Sequence, residues 1–194
     1  TVTASYTDKQ DTAESKTSAA TSVVANVNDD PSGSVTISGT ATEDQTLTAV
    51  TDTIDDEDGL GNFSYQWKRG GSDISGANLE TYALVQADVG SGIQVAVSYT
   101  DVQGKAESLT SAATGDVGNV NDDPSGSVTI SGTATEDQTL TAVTSTIVDE
   151  DGLGSYSYQW KRGGSDISGA NLETYALVQA DVGSGIQVAV SYTD

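Results

Sequence analysis

Phe63-Ser64-Tyr65-Gln66-Trp67-Lys68-Arg69, closed by Gly70-Gly71, is the stretch on which the fold turns. Phe63, Tyr65 and Trp67 alternate with Ser64, Gln66 and Lys68, and a period of two puts the three aromatics on one face of a β-strand. A Gly-Gly pair directly after such a strand is hairpin chemistry, because both residues accept positive φ. Trp67 reads as core rather than as a ligand platform. The same grammar runs outward in both directions. Ser34–Gly39 and Gln45–Ile54 precede it, the latter with Leu47 and Ala49 on one face. Short strands follow near Asp73–Ser75 and Thr81–Val85. Next come Ile93–Tyr99, with Ile93, Val95, Val97 and Tyr99 in step, and then Lys105–Thr114. Only Gln86–Val89 has the character of a helical turn. Short alternating strands with turn residues at roughly 8–12-residue spacing predict an all-β sandwich.

The tryptophan stretch occurs twice. Residues 26–101 reappear as 119–194, a register of 93, and the copies differ only at Asp52/Ser145, Asp55/Val148, Asn62/Ser155 and Phe63/Tyr156. Thr1–Ala25 matches Gln94–Gly118 more loosely in the same register. Such self-similarity marks a repeat architecture. Residues 1–25 are expected to be the C-terminal strands of a preceding, truncated repeat, 26–118 a complete repeat, and 119–194 a second repeat lacking its last strand. Either that end repeat stays incomplete, or the N-terminal segment of this or another chain fills its groove by strand addition. A unit of this size buries only about 60–65% of its unfolded surface. Neighbouring repeats or metal are therefore expected to contribute to stability.

Charge and composition exclude several functions. The formal net charge is −22, with 29 acidic against 7 basic residues, which disfavours nucleic acid and direct contact with anionic membranes. Neither Cys nor His is present, so no disulfide can form and the usual zinc ligand and general base are missing. No Gly-x-Ser-x-Gly elbow or phosphate loop occurs, and the carboxylates fall in turns rather than across a cleft. An enzyme is not expected. No run approaches the roughly 18 apolar residues of a membrane span. Abundant Asp, Gly, Ser and Thr is compatible with disorder, but the regular strand pattern argues for a fold.

The Trp67 strand, followed by Leu84-x-x-x-Asp88-x-Gly90 and the alternating Ile93, Val95 and Val97, resembles the immunoglobulin-like sandwich. Leu47 or Ala49, and Val95, stand where that family carries its cysteine pair. The whole repeat looks like the Ig-like and cadherin-like repeats of giant bacterial adhesins, including the extender regions of RTX-type adhesins. Its quoted landmarks are Val27-Asn-Asp-Asp-Pro31, Ser38-Gly-Thr-Ala-Thr-Glu-Asp44, Asp56-Glu-Asp-Gly-Leu-Gly61 and Tyr65-Gln-Trp-Lys-Arg69. The resemblance implies tandem immunoglobulin-like (cadherin-like) β-sandwich repeats on an extracellular cell surface. They would act as a spacer in adhesion or biofilm formation, with neighbouring repeats of the same chain as partners.

That topology also implies which acidic loops meet. The linker before the first strand lies beside the B–C and F–G loops, and the A–B and E–F loops lie next to the following linker. One junction then gathers Asn119, Asn121, Asp122 and Asp123, with Pro124 holding Asp123 extended. Glu43, Asp44 and Asp88 approach from the repeat below, and Asp149, Asp151 and Asp194 from the repeat above. The equivalents one repeat earlier are Asn28, Asp29, Asp30, Asp56, Asp58 and Asp101. The layout resembles a cadherin junction, and calcium, which takes six to eight oxygens, is the expected ion, at one to three per junction. Asp88 carries a second reading, as a structural aspartate of the E–F turn. Asp52, Asp55 and Glu57 read as solvated. Asp56-Glu-Asp-Gly59 lacks the bidentate Glu of an EF-hand. Two bare carboxylates about 4–5 Å apart repel by roughly 3–4 kcal/mol at an effective dielectric near 20, so a cation would turn repulsion into a stiff joint. The rival reading is a binding module, with Thr-rich strands such as Val35–Thr40 and Thr46–Thr51 forming a flat face for glycan or ice; Thr is equally an ordinary exposed strand former.

Overall fold

The alternating stretch forms a strand, and its neighbours follow in the order their patterns predict. The structure, a computed structural model, describes all residues from Thr1 to Asp194. It is all-β, and every strand pair is antiparallel. β1 (Thr3–Thr7) and β2 (Ala13–Thr17) form a separate two-stranded sheet, exposed along its whole length. In the first repeat, β3 (Thr36–Ser38) and β4 (Thr46–Val50) precede the tryptophan strand β5 (Ser64–Arg69). β6 (Ser72–Asp73), β7 (Thr81–Ala83), β8 (Ile93–Thr100) and β9 (Ala106–Thr110) follow it. They make two sheets, ordered β3-β4-β7 and β6-β5-β8-β9. The second repeat has β10 (Thr129–Ser131), β11 (Thr139–Val143), β12 (Ser157–Arg162), β13 (Ser165–Asp166), β14 (Thr174–Ala176) and β15 (Ile186–Ser191). Its sheets are β10-β11-β14 and β13-β12-β15.

The inward face of each strand supplies a core between the two sheets. In the first repeat eleven buried residues cluster, among them Leu47 and Ala49 from β4, Trp67 from β5, and Val95, Val97 and Tyr99 from β8. Trp67 is fully buried and stacks on Tyr82 with ring centroids 5.7 Å apart. Its indole N–H donates to the Leu79 carbonyl at 2.9 Å, so the one polar atom of the ring is satisfied on burial. The Gly70-Gly71 turn has positive φ at both residues, as a two-residue hairpin requires. Trp160 repeats the stack and the hydrogen bond in the second copy.

Strands are shorter than the alternation suggests. The longest, β8, has eight residues, about 26 Å at 3.3 Å per residue. β9 stops at Thr110 for a definite reason. The Ser111 and Thr114 hydroxyls, rather than backbone carbonyls, accept the N–H groups of Val95 and Ile93. Side-chain oxygens thus replace one bond at each position, while the Ser111 and Thr114 N–H groups still donate to the Val95 and Ile93 carbonyls at 2.9 Å. Where this covering segment is lacking, the core thins. The second repeat buries only Leu140, Ala142, Trp160 and Leu177 together, while Ile186, Val188 and Val190 are left half-buried. No strand of the chain pairs with the second edge of β15. No helix is long and apolar enough to cross a membrane.

Asp88 sits in a one-turn 3-10 helix (Gln86–Asp88) and is fully buried. Its Oδ1 takes the Arg69 Nε–H at 2.7 Å, and its Oδ2 takes the Tyr82 hydroxyl at 3.0 Å and the Val85 N–H at 2.9 Å. The carboxylate is used up within its own repeat. Of the two readings of Asp88, these bonds favour the structural one over the junction ligand. Asp181 makes the same three bonds with Arg162, Tyr175 and Val178. Asp88→Ala is expected to strand a buried guanidinium contact and two donors, costing about 3–5 kcal/mol. In chemical denaturation the first repeat's transition should move to lower denaturant, with the Asp181-bearing repeat unaffected.

Candidate metal centre

Acidic loops at the ends of the sheets are organised by their own side chains. In the loop after β4, Asp56 Oδ1 accepts the Asp58 N–H at 2.8 Å, an Asx-type closure that folds the loop back. Gly59, at φ +88°, continues the turn. Tyr99 reaches from β8 and donates its hydroxyl to Asp56 Oδ2 at 2.6 Å. That contact, together with burial, raises the phenol's pKa, burial being the larger cause. Two residues on, Asp101 Oδ1 accepts the N–H groups of Gln103 and Lys105, each at 2.8 Å. Its Oδ2 is buried with no hydrogen-bond partner.

Asp56, Asp58 and Asp101 are all buried, at 7%, 5% and 4% exposure. No cationic side chain pairs with any of them, since the ion pairs of the chain are Lys68–Asp73, Arg69–Asp88, Lys105–Glu107, Lys161–Asp166 and Arg162–Asp181. Buried carboxylates ordinarily have a cation or a full hydrogen-bond complement. The linker closes over this loop, where the Asp29 N–H donates to Asp58 Oδ2 at 2.7 Å. The Asn28 amide turns instead to Glu107 at 3.2 Å. Asp30 stays exposed.

Between the two repeats the equivalent loop meets a second contributor. Asp122 N–H donates to Asp151 Oδ2 at 2.6 Å, and the Asn119 amide to Asp151 Oδ1 at 2.7 Å. From the first repeat, Glu43 Oε2 accepts the Val120 N–H at 3.3 Å, and the Glu43 N–H binds the Gly118 carbonyl at 2.9 Å. Carboxylate oxygens of Glu43, Asp122 and Asp151 all lie within 4.8 Å of one another, as do those of Asp149, Asp151 and Asp194. Asp151 belongs to both groups. Glu43 is buried at 2% exposure, whereas its counterpart Glu136, with no linker over it, is exposed. The junction itself therefore buries the glutamate. Asn121 donates only to the Asp122 carbonyl at 3.1 Å, and Asp123 is exposed and in neither group.

The electrostatics follow from that convergence. Burial raises the Glu43 pKa, the Val120 N–H opposes it, and repulsion from Asp122, Asp44 and Asp151 adds to the rise. Asp122 is likewise raised, first by burial and then by Asp151, Asp44, Asp149 and Asp123. Tyr192, whose hydroxyl bonds Asp149, is pushed up to about 12 by that bond and then by burial.

Several contributors escape sequence reading. Tyr99 and Tyr192 brace the loop aspartates from the strand end, and their spacing of two from Asp101 and Asp194 was the available signal. Gln86, in the amide orientation that satisfies both groups, places its nitrogen 2.9 and 2.8 Å from the Glu43 oxygens. Nothing in the local sequence announces that contact. The donor set is all oxygen, several-fold anionic and irregular, which suits a hard divalent cation and calcium over magnesium. The unpartnered Asp101 oxygen fits such an ion as well. No protein-family model matches the chain, and no curated protein is significantly similar to it.

A pH dependence follows. Glu43 and Asp122 have folded pKa values above their ordinary ones, so the folded junction binds more protons than the unfolded chain in the window just above the ordinary carboxylate range. In a chelator, the melting temperature should rise as pH falls from about 7 to about 5, as these two groups take up protons. Asp181 is held below its usual value: burial, the largest influence, pushes it upward but is outweighed by its three hydrogen bonds and Arg162. It withdraws stability only at lower pH. A melting temperature that falls steadily over the upper window contradicts the repulsive-junction account.

Proposed function

We propose that the chain is a non-enzymatic extender of a bacterial cell-surface adhesin, built of tandem immunoglobulin-like repeats and stiffened by Ca²⁺ at the joints. The observation that carries this reading is the pair of oxygen groups sharing Asp151, assembled from the first repeat, the linker and the second repeat with no cationic side chain among them. Glu43 belongs to one repeat, Asp122 to the linker, and Asp149, Asp151 and Asp194 to the next. An ion held by all three stretches removes the hinge freedom of the linker, because bending would pull ligands off the metal. In the first repeat Asp56, Asp58 and Asp101 would take the same part, with the Asp101 Oδ2 left free by its own turn.

The fold suits such a role. Each repeat buries its Trp between two sheets, and reach in an array scales with copy number. The acidic surface of net charge −22 would hold neighbouring arrays apart in solution. Resemblance of the repeat to adhesin extender modules supplies the extracellular setting, where millimolar calcium saturates sites of about 10⁻⁴–10⁻³ M affinity.

Small-angle scattering with calcium and with chelator tests this directly. Calcium is expected to lengthen and straighten the particle and to raise its melting temperature. Asp151→Asn, which touches both oxygen groups, should weaken calcium binding at the joint at least tenfold by titration calorimetry. An unchanged maximum dimension, together with no calcium heat, would defeat the proposal.

A further inference from the structure

Each repeat carries the same cleft, of about 430 Å³, and it shares no residue with the oxygen groups of the joint. In the first repeat one wall is β7 and the other is the crossover of residues 74–79 that follows β6. The crossover belongs to the opposite sheet: the Ile74 N–H donates to the Trp67 carbonyl, and the Trp67 N–H to the Ala77 carbonyl, each at 2.9 Å. The cleft is thus the gap between the open edges of the two sheets. β14 and residues 167–172 form the same walls in the second repeat.

β7 is the end strand of its sheet, and β4 is its one partner. The Leu84 N–H reaches the Gln45 carbonyl and the Ala49 N–H the Glu80 carbonyl, both at 2.9 Å, in a register that sets Tyr82 opposite Leu47. Bonded positions alternate along an antiparallel pair, so the N–H and C=O groups of Thr81 and Ala83 point away from β4. Both residues line the cleft. Such an edge is a template for one more strand. Leu79 and Val85 stand beside it at 69% and 47% exposure, and Leu172 and Val178 repeat them.

Charge says what kind of strand fits. No acidic residue lines either cleft, on a chain of net charge −22. Arg69 and Arg162, the only arginines, line one cleft each. Arg69 is held in place by Asp88 through Nε, and its side chain is 31% exposed. The Nη end of the fork is then pre-oriented for a second carboxylate.

We infer that each cleft takes an extended segment of a partner protein as an added antiparallel strand, on β7 in the first repeat and on β14 in the second. Two of its residues, one apart, exchange N–H···O=C bonds with Thr81 and Ala83. An aliphatic side chain packs against Leu79 and Val85, and one carboxylate meets Arg69. A peptide fits better than a sugar, because the exposed flanks are aliphatic and the edge presents donors and acceptors at strand spacing. The site recurs once per repeat, so a partner with several such segments gains avidity.

The probe is a short, end-blocked peptide that alternates valine with polar residues, carries one glutamate and bears a dye. In fluorescence anisotropy it should bind once per repeat. Hydrogen exchange followed by NMR should then show the Thr81, Ala83, Thr174 and Ala176 amides slowed about tenfold, while amides already bonded to β4 and β11 keep their rates. Leu79→Ser together with Leu172→Ser alters only exposed side chains and should weaken binding about fivefold. Arg69 stays intact, since its loss would also unpair Asp88; glutamine in place of the probe's glutamate should instead weaken binding about threefold. No anisotropy change at millimolar probe, protection at other amides, or indifference to the leucine variant overturns the inference, as does binding of a glucuronate oligosaccharide in place of the peptide. No ion ligand of the joint is altered, so the calcium reading is judged separately by scattering and calorimetry.

Discussion

Carboxylates brought together out of reach of any lysine or arginine set the terms for everything at the joint. Glu43, Asp122 and Asp151 come from a loop, a linker and a second loop; Glu43 and Asp151 are held by backbone N–H groups or amides rather than by a cation. Hydrogen bonds from N–H groups fix where the oxygens point but do not cancel their mutual repulsion. The pKa values of Glu43 and Asp122 are raised first by burial and then by that repulsion. Under the calcium reading proposed above, a divalent ion would relieve it without rearranging the chain.

The sandwich makes this gathering geometrically possible. Trp67 and its stack on Tyr82 hold the two sheets at a fixed separation, and Asp88 ties the turn after β7 back to Arg69 of β5. Loops that leave a rigid frame at fixed points arrive at the joint in a fixed arrangement. The two aspartate systems therefore divide the labour. Asp88 spends its charge inside the repeat, on a guanidinium; Asp56, Asp58 and Asp101 are buried with no cationic side chain paired to them, and Asp58 meets the linker at the Asp29 N–H.

The covering segment 106–118 sets the two repeats apart. Their sequences are nearly the same, yet the first buries eleven clustered core residues and the second four. The difference is the covering segment 106–118, which closes β8 through Ser111, Thr114 and Val117. Core burial in the first repeat thus depends on its own C-terminal segment, Val117 included. Glu43 and Glu136 tell the parallel story for charge, one buried beneath a linker and the other exposed.

Strand existence, the antiparallel all-β character, the repeat and the buried Trp were legible in the sequence alone. Each depends on a local period of two, on Gly turn chemistry or on plain self-identity at a register of 93. The broad position of the acidic loops was legible too, but the roles of individual acids were not. Asp88 and Asp56 look alike on paper; only the folded chain shows one beside Arg69 and the other beneath Tyr99. Strand ends, the Gln86–Glu43 contact and the orphaned oxygen of Asp101 likewise depend on what lies across the sheet. They are set by contacts between residues far apart in the chain, which local alternation does not encode.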